Sequence, residues 1–214
     1  FLPLVVLIAL PLLLRRDTVE ILPATDNADK LIIVTPHTQT IRAEFEKKFK
    51  RLYKEQTGRE VIFDWRNPGG TSDIIRLIND RFQTEFRRYW LNNPENGPWT
   101  DEVMRSFDNR YKDPATCRPR QVFLKSDVGI GIDILFGGGL YDLTKQAQMG
   151  HGVDAGIQKL HPEWFTNKVI PQSWNGEIFY DKLGRFYGAC LTEFGLCYNL
   201  DRLKLLKNQT PPTR

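Results

Sequence analysis

Residues 31–53 and 60–82 each pass from a short apolar run to a helical repeat through only a few turn residues. No other feature limits the fold as strongly. Leu31–Val34 (LIIV) has the character of a buried strand. Thr35-Pro36-His37-Thr38 breaks it, and Ile41, Phe45, Phe49, Leu52 and Tyr53 then recur at helical spacing. Thr38 or Thr40 can cap this helix, and Gly58 fits just past its end. Glu60–Trp65 (EVIFDW) is a second strand, Arg66–Thr71 (RNPGGT) a turn, and Ile74, Ile75, Leu77, Ile78 and Phe82 mark a second helix. This β-α-β-α order with short connections predicts an α/β fold with a parallel-rich sheet flanked by helices.

Further along, Ile132–Phe136 reads as a third strand ending in Gly137-Gly138-Gly139, and Leu140, Leu143 and Ala147 suggest a short helix. Residues 87–120 are rich in Asn, Pro and Arg, with a short amphipathic piece around Val103, Met104 and Phe107. They read as a surface insertion. A helix is expected over Ala155–Phe165, strands over Glu177–Tyr180 and Arg185–Tyr198, and a helix over Asn199–Lys207.

The chain's 214 residues are 41% hydrophobic and 26% charged, which excludes a disordered or multi-span membrane protein. The formal charge is +4. Leaving out residues 1–16, with Arg15 and Arg16, gives 28 basic against 26 acidic side chains, a net +2. A nucleic-acid binder shows a concentrated basic face, so no nucleic-acid partner is expected.

Phe1–Leu14 (FLPLVVLIALPLLL) carries no charge and ends at Arg15-Arg16. Fourteen helical residues reach roughly 21 Å, short of a ~30 Å hydrocarbon core. The run suits a signal sequence or an N-terminal membrane anchor, with a buried core helix as the alternative. The first residue is Phe1 rather than Met, and the last are Thr210-Pro211-Pro212-Thr213-Arg214, so a piece of a longer protein is expected. Three cysteines make no disulfide framework. Cys190 and Cys197 would lie roughly 23 Å apart in an extended strand, and all three read as small buried thiols.

Ligands of open parallel sheets bind beyond the carboxyl ends of the strands. Three breaks fall there, at Thr35–Thr38, Asn67–Ser72 and Gly137–Tyr141. In the second, glycines let a ligand approach the backbone and a helix N-terminus offers unpaired N–H groups, with Thr71 and Ser72 adding hydroxyls. That makes a seat for an anion or oxyanion. The plainer reading is that Thr71 or Ser72 caps the helix, and Asp73 weighs against a strong anion site. Tyr141 either covers a ligand or staples the next helix. His37, His151 and His161 lack metal-ligand spacing, so no metal or cofactor is expected. No nucleotide-binding, nucleophile-elbow or metalloprotease signature is present.

TPHTQTIRAEFEKKF at 35–49, EVIFDWRNPGGTSDIIRLI at 60–78, DILFGGGLYDL at 133–143 and RFYGACLTEFGLCYNLDRL at 185–203 together resemble, in order, family 1 extracellular solute-binding proteins of ABC importers. The nearest branch is the iron, thiamine, polyamine and phosphonate group. The resemblance implies a type II periplasmic-binding-protein fold, two lobes closing on a ligand as such proteins do. With 1–16 read as signal sequence or anchor and 17–29 as tether, it implies a first lobe at 30–190 and a hinge crossover with the start of a second lobe at 191–214; the insertion at about 87–120 and an uncleaved anchor depart from the simplest family members. Carried over by position, the ligand residues are Thr35, Pro36, His37 and Thr38, then Gly70, Thr71 and Ser72, then Gly138, Gly139 and Tyr141, and in the crossover Glu193 and Phe194. The implied protein is not an enzyme. It is periplasmic or otherwise extracytoplasmic, takes a small solute with an oxyanion or a metal ion, and meets an ABC permease, with its N-terminus at the membrane. The alternatives are a sensor input domain of the same fold and an α/β transferase that uses the GGTS loop for phosphate.

Overall fold

The computed structural model describes residues 28–190 together with Asn199, Asp201 and Arg202. The apolar N-terminal run, most of the tether, Glu193, Phe194, Cys197 and most of the expected last helix lie outside the described residues. Two compact units are present. One contains the described residues up to Pro98 together with Asp127–Gly138, and the other contains Trp99–Ser126 together with the described residues from Gly139 onward.

In the first unit, strand β1 spans Ala28–Val34 and β2 spans Glu60–Arg66, paired in parallel from Ala28 opposite Glu60 to Val34 opposite Arg66. The ladder begins three residues before the apolar run, inside the expected tether. Asp29 explains the extension: it receives Arg59 Nη2 at 2.6 Å and the Tyr53 hydroxyl, so polar contacts hold the strand where no apolar side chain does. A third parallel strand, β3, spans Ile134–Leu135, opposite Ile33 and Val34, giving the order β2–β1–β3. It is shorter than the five residues expected. Asp133 meets Ile32 twice, its N–H donating to the Ile32 carbonyl (2.9 Å) and its carboxylate accepting from the Ile32 N–H (2.7 Å). A side chain there takes the place of a ladder bond.

Helix α1 covers Gln39–Thr57, with Thr38 as N-cap residue and Gly58 in the left-handed region as C-cap. Its apolar stripe is only half covered. No α1 residue is buried, and Phe45, 51% exposed, rests on Phe136 while Phe49 packs on Phe63. Helix α2 covers Thr71–Leu91 and buries Ile74, Ile78, Phe82, Phe86 and Trp90, one residue per turn. With Ile33, Val34 and Val61 these form the unit's core. The helix thus runs five residues into the stretch expected to be a surface insertion, because Phe86 and Trp90 continue its i, i+4 stripe.

Part of the rest of that stretch also packs inward. In the second unit, α3 (Asp101–Ser106) starts at Thr100, whose Oγ1 accepts the Val103 N–H, and α4 spans Arg118–Lys125. Val103 and Phe107 are buried with Phe123 and with Ala147 of α5 (Leu140–Met149). The amphipathic piece is therefore a core contributor rather than a decoration. Helix α6 covers only Ile157–Leu160. A small hairpin joins β4 (Ser173–Trp174) to β5 (Glu177–Ile178), and its Asn175-Gly176 turn has positive φ at both residues (48° and 88°). Asn-Gly is the pair that a two-residue primed turn favours. Cys117 is half-buried and Cys190 exposed, against the expectation of buried thiols.

Candidate functional site

Because β1, β2 and β3 are mutually parallel, the loops that leave them emerge at one edge of the sheet. The chain places β2 on one side of β1 and β3 on the other. Such a reversal marks the edge at which doubly wound sheets take ligands.

The first loop is shaped by Thr35. It is fully buried, its N–H donates to the Arg66 carbonyl (3.0 Å), and its Oγ1 accepts the His37 N–H (3.1 Å). Its hydroxyl holds the turn and does not face solvent. Asn67 Nδ2 donates to the His37 carbonyl (3.3 Å), tying the second loop to the first. The His37 ring lies 4.8 Å from the Phe136 ring. A Cβ at Gly137 would stand 2.9 Å from His37 Nε2 and 3.1 Å from Pro36 Cδ, and one at Gly138 would touch Thr71 Cγ2 at 3.4 Å. Pro36, His37, Thr71, Gly137 and Gly138 thus converge, and the glycines are what let the loops come this close. Thr38 and Gly70 stand at the caps of α1 and α2, and Ser72 is exposed in the first turn of α2. Gly139 and Tyr141 belong to the second unit, where Gly139 is the N-cap residue of α5 and Tyr141 is 69% exposed.

Gly137 has φ 112°, a conformation that L side chains rarely adopt. Gly137→Ala should cost about 1–3 kcal/mol, the range for backbone held in such regions. Gly129→Ala, which meets nothing within 4 Å, should be close to neutral in the same urea unfolding series.

The N-terminus of α2 differs from the expected oxyanion seat. Gly70, not Thr71 or Ser72, is the cap residue, and the Asp73 Oδ2 accepts the Gly70 N–H at 3.1 Å. The same oxygen lies 2.5 Å from where a Gly69 Cβ would be. The chain's own carboxylate already sits in the positive field of the helix end, where a bound anion would gain most. Cations at this edge are also engaged. Arg66 Nη2 meets Asp64 Oδ2 at 3.2 Å, and Arg76 lies 3.8 Å from Asp73. The Arg66 guanidinium, aided by Lys30, holds the Asp64 carboxyl below the usual carboxylate range. The edge also offers loop backbone and hydroxyls, with the His37 imidazole beside them and Arg42 in the first turn of α1.

Sequence reasoning named the three loops, Asn67 among their residues, but not the bonds that Asn67 and Asp133 make to distant backbone. It also missed Arg120, whose surroundings are described below. Among the described residues, no cluster of three or more His, Cys, Asp or Glu could hold a metal ion, and no helix is long and apolar enough to cross a membrane. No protein-family model, curated protein or solved structure matches the chain.

Proposed function

We propose that this chain is the first lobe of an extracytoplasmic solute-binding protein that delivers a small solute to an ABC permease. The observation that carries the reading is the meeting of the β1, α2 and β3 loops at the reversal of a β2–β1–β3 parallel sheet. The order of the quoted motifs supports the type II binding-protein fold. In this reading Pro36, His37, Thr71 and Gly138 face the solute, Thr35 shapes the loop beneath it, and closure by a second lobe completes the cleft. The protein performs no bond-making step. Asp73 in the end of α2 favours a solute that is neutral or cationic at that point over one presenting an oxyanion there.

The test is a thermal-shift panel of ferric iron, thiamine, polyamines and phosphonates. Full-length protein should gain several degrees with one class, since saturation at 100 times Kd stabilises by about 2.7 kcal/mol. The 214-residue chain alone should show no shift. Tight binding by that chain alone would overturn the two-lobe account, and a full-length protein silent to the panel would count against capture of these solutes.

A further inference from the structure

The second unit encloses a polar cluster that solute capture does not use. The Arg120 side chain of α4 reaches inward. It donates through Nη1 to the carbonyls of Phe107 (3.3 Å) and Met149, and through Nη2 to that of Gln148 (2.6 Å). It therefore ties the end of α5 to the segment after α3. Beside it lies His151, whose side chain is 2% exposed. The Gln146 amide fixes the imidazole. Gln146 Nε2 points at the Met149 sulfur (3.9 Å), which turns Gln146 Oε1 toward His151 Nδ1 at 2.7 Å. With that oxygen accepting, the contact favours the tautomer protonated at His151 Nδ1. The other ring nitrogen, Nε2, stands 3.6 Å from Asp108 Oδ2, and the Phe123 ring packs against the imidazole edge to face at 5.9 Å.

The charged and titratable groups around this imidazole come from every element packed there. The segment after α3 supplies Asp108. Residue Cys117 and α4 supply a thiol and the Arg120 guanidinium, whose charge acts against protonation of His151. From α5 come only the amides of Gln146 and Gln148, the latter accepting from Arg110 at 3.0 Å. Arg185 also reaches α5, at the Ala147 carbonyl (2.9 Å), but Asp181 neutralises it at 2.6 Å. With the imidazole neutral, the cluster holds the buried Arg120 cation and, at its partly exposed edge, the Asp108 carboxylate. Protonation adds a second cation for the same carboxylate, and a buried surplus charge is costly.

We propose that this cluster is an acid-sensitive latch: protonation of His151 releases α4 and α5 from each other and opens the second unit, while the first unit stays closed. Burial, the largest influence, holds the imidazole pKa below the ordinary histidine value, with Asp108 opposing and Arg120 adding to it. The opened unit therefore takes up the proton at a higher pH than the closed one. The closed form keeps its full advantage above the ordinary histidine range and loses it as pH falls toward the depressed value.

Hydrogen exchange of the 214-residue chain at pH 7.5, 6.0 and 5.0, corrected for intrinsic rates, tests this. Peptides from α4 and α5 should open up to about tenfold more per pH unit below roughly 6.5, the linkage limit for one proton. Peptides from β1 and β2 should not change. His151→Gln should flatten the pH response of α4 and α5. Should that variant fail to fold, the imidazole resonance of the parent protein decides, since it should titrate below the ordinary histidine range. Equal loss of protection in both units, protection of α4 and α5 that ignores pH, or an imidazole titrating at or above the ordinary value would each overturn the latch.

Discussion

Replacing Trp90 with alanine should destabilise the first unit by about 3–5 kcal/mol, the usual cost of emptying a buried aromatic site. Trp90 is 2% exposed and closes the apolar stripe of α2, with its ring 5.7 Å from that of Phe86. It also ends the helix. Its Nε1 donates to the Gly97 carbonyl (3.1 Å), and its own carbonyl accepts from the Asn93 N–H (3.3 Å) and from Asn96 Nδ2 (3.5 Å). The indole thus holds the turn at Pro94–Asn96 to the last turn of α2. Trp90→Phe keeps most of the volume and loses the N–H, so it should cost nearer 1 kcal/mol for the missing hydrogen bond. Chemical denaturation followed by circular dichroism separates the two. Near-equal losses would mean that the ring volume at the end of α2 matters less than its burial implies.

The same residue shows where the sequence was legible and where it was not. Periodicity placed α1, β2 and the start of α2 to within a residue or two, because apolar spacing and the turn residues around them agree. The extension to Trp90 was equally regular, since Phe82, Phe86 and Trp90 repeat at i, i+4. Neighbouring Asn, Pro and Arg obscure it, because their turn-forming composition competes with the helical period. The Asn175-Gly176 turn was likewise readable from its dipeptide. β3 was not readable at full precision. Its limits are set by Asp133 pairing with Ile32, a contact between residues 101 apart. The start of β1 depends in the same way on Asp29 meeting Tyr53 and Arg59. Side chains that stand in for ladder bonds leave no local pattern.

For the candidate site the division is similar. The three loops were legible because glycine, proline and threonine punctuate strand ends, and a parallel order forces those ends to one edge. Their convergence on Gly137 needed coordinates. So did the carboxylate at the α2 N-terminus: an acid three residues past a cap position is ordinary helix chemistry, and only the 3.1 Å bond to Gly70 N places it there. The half-covered stripe of α1 also departs from a pattern that reads as a buried face. Amphipathic spacing fixes which side of a helix is apolar, not how completely a neighbour covers it.

Arg120→Met should cost the second unit about 3–5 kcal/mol at neutral pH, the range for breaking a buried charged network by removing one partner. The methionine keeps the apolar stem and fills most of the volume. The carbonyls of Phe107, Gln148 and Met149 lose their shared donor, and Asp108 loses the attraction of a buried cation. Arg120→Lys should fall between the two, because one ammonium cannot span three carbonyls as a planar guanidinium does. The pH dependence distinguishes this network from simple packing. In the parent, acid adds a second cation beside Arg120. In the methionine variant, protonated His151 would face Asp108 without Arg120 beside it. The stability gap between variant and parent should therefore narrow as pH falls from 7.5 to 5.0. A gap that stays constant over that range would show that Arg120 acts through packing and carbonyl bonds alone, with no charge coupling to His151.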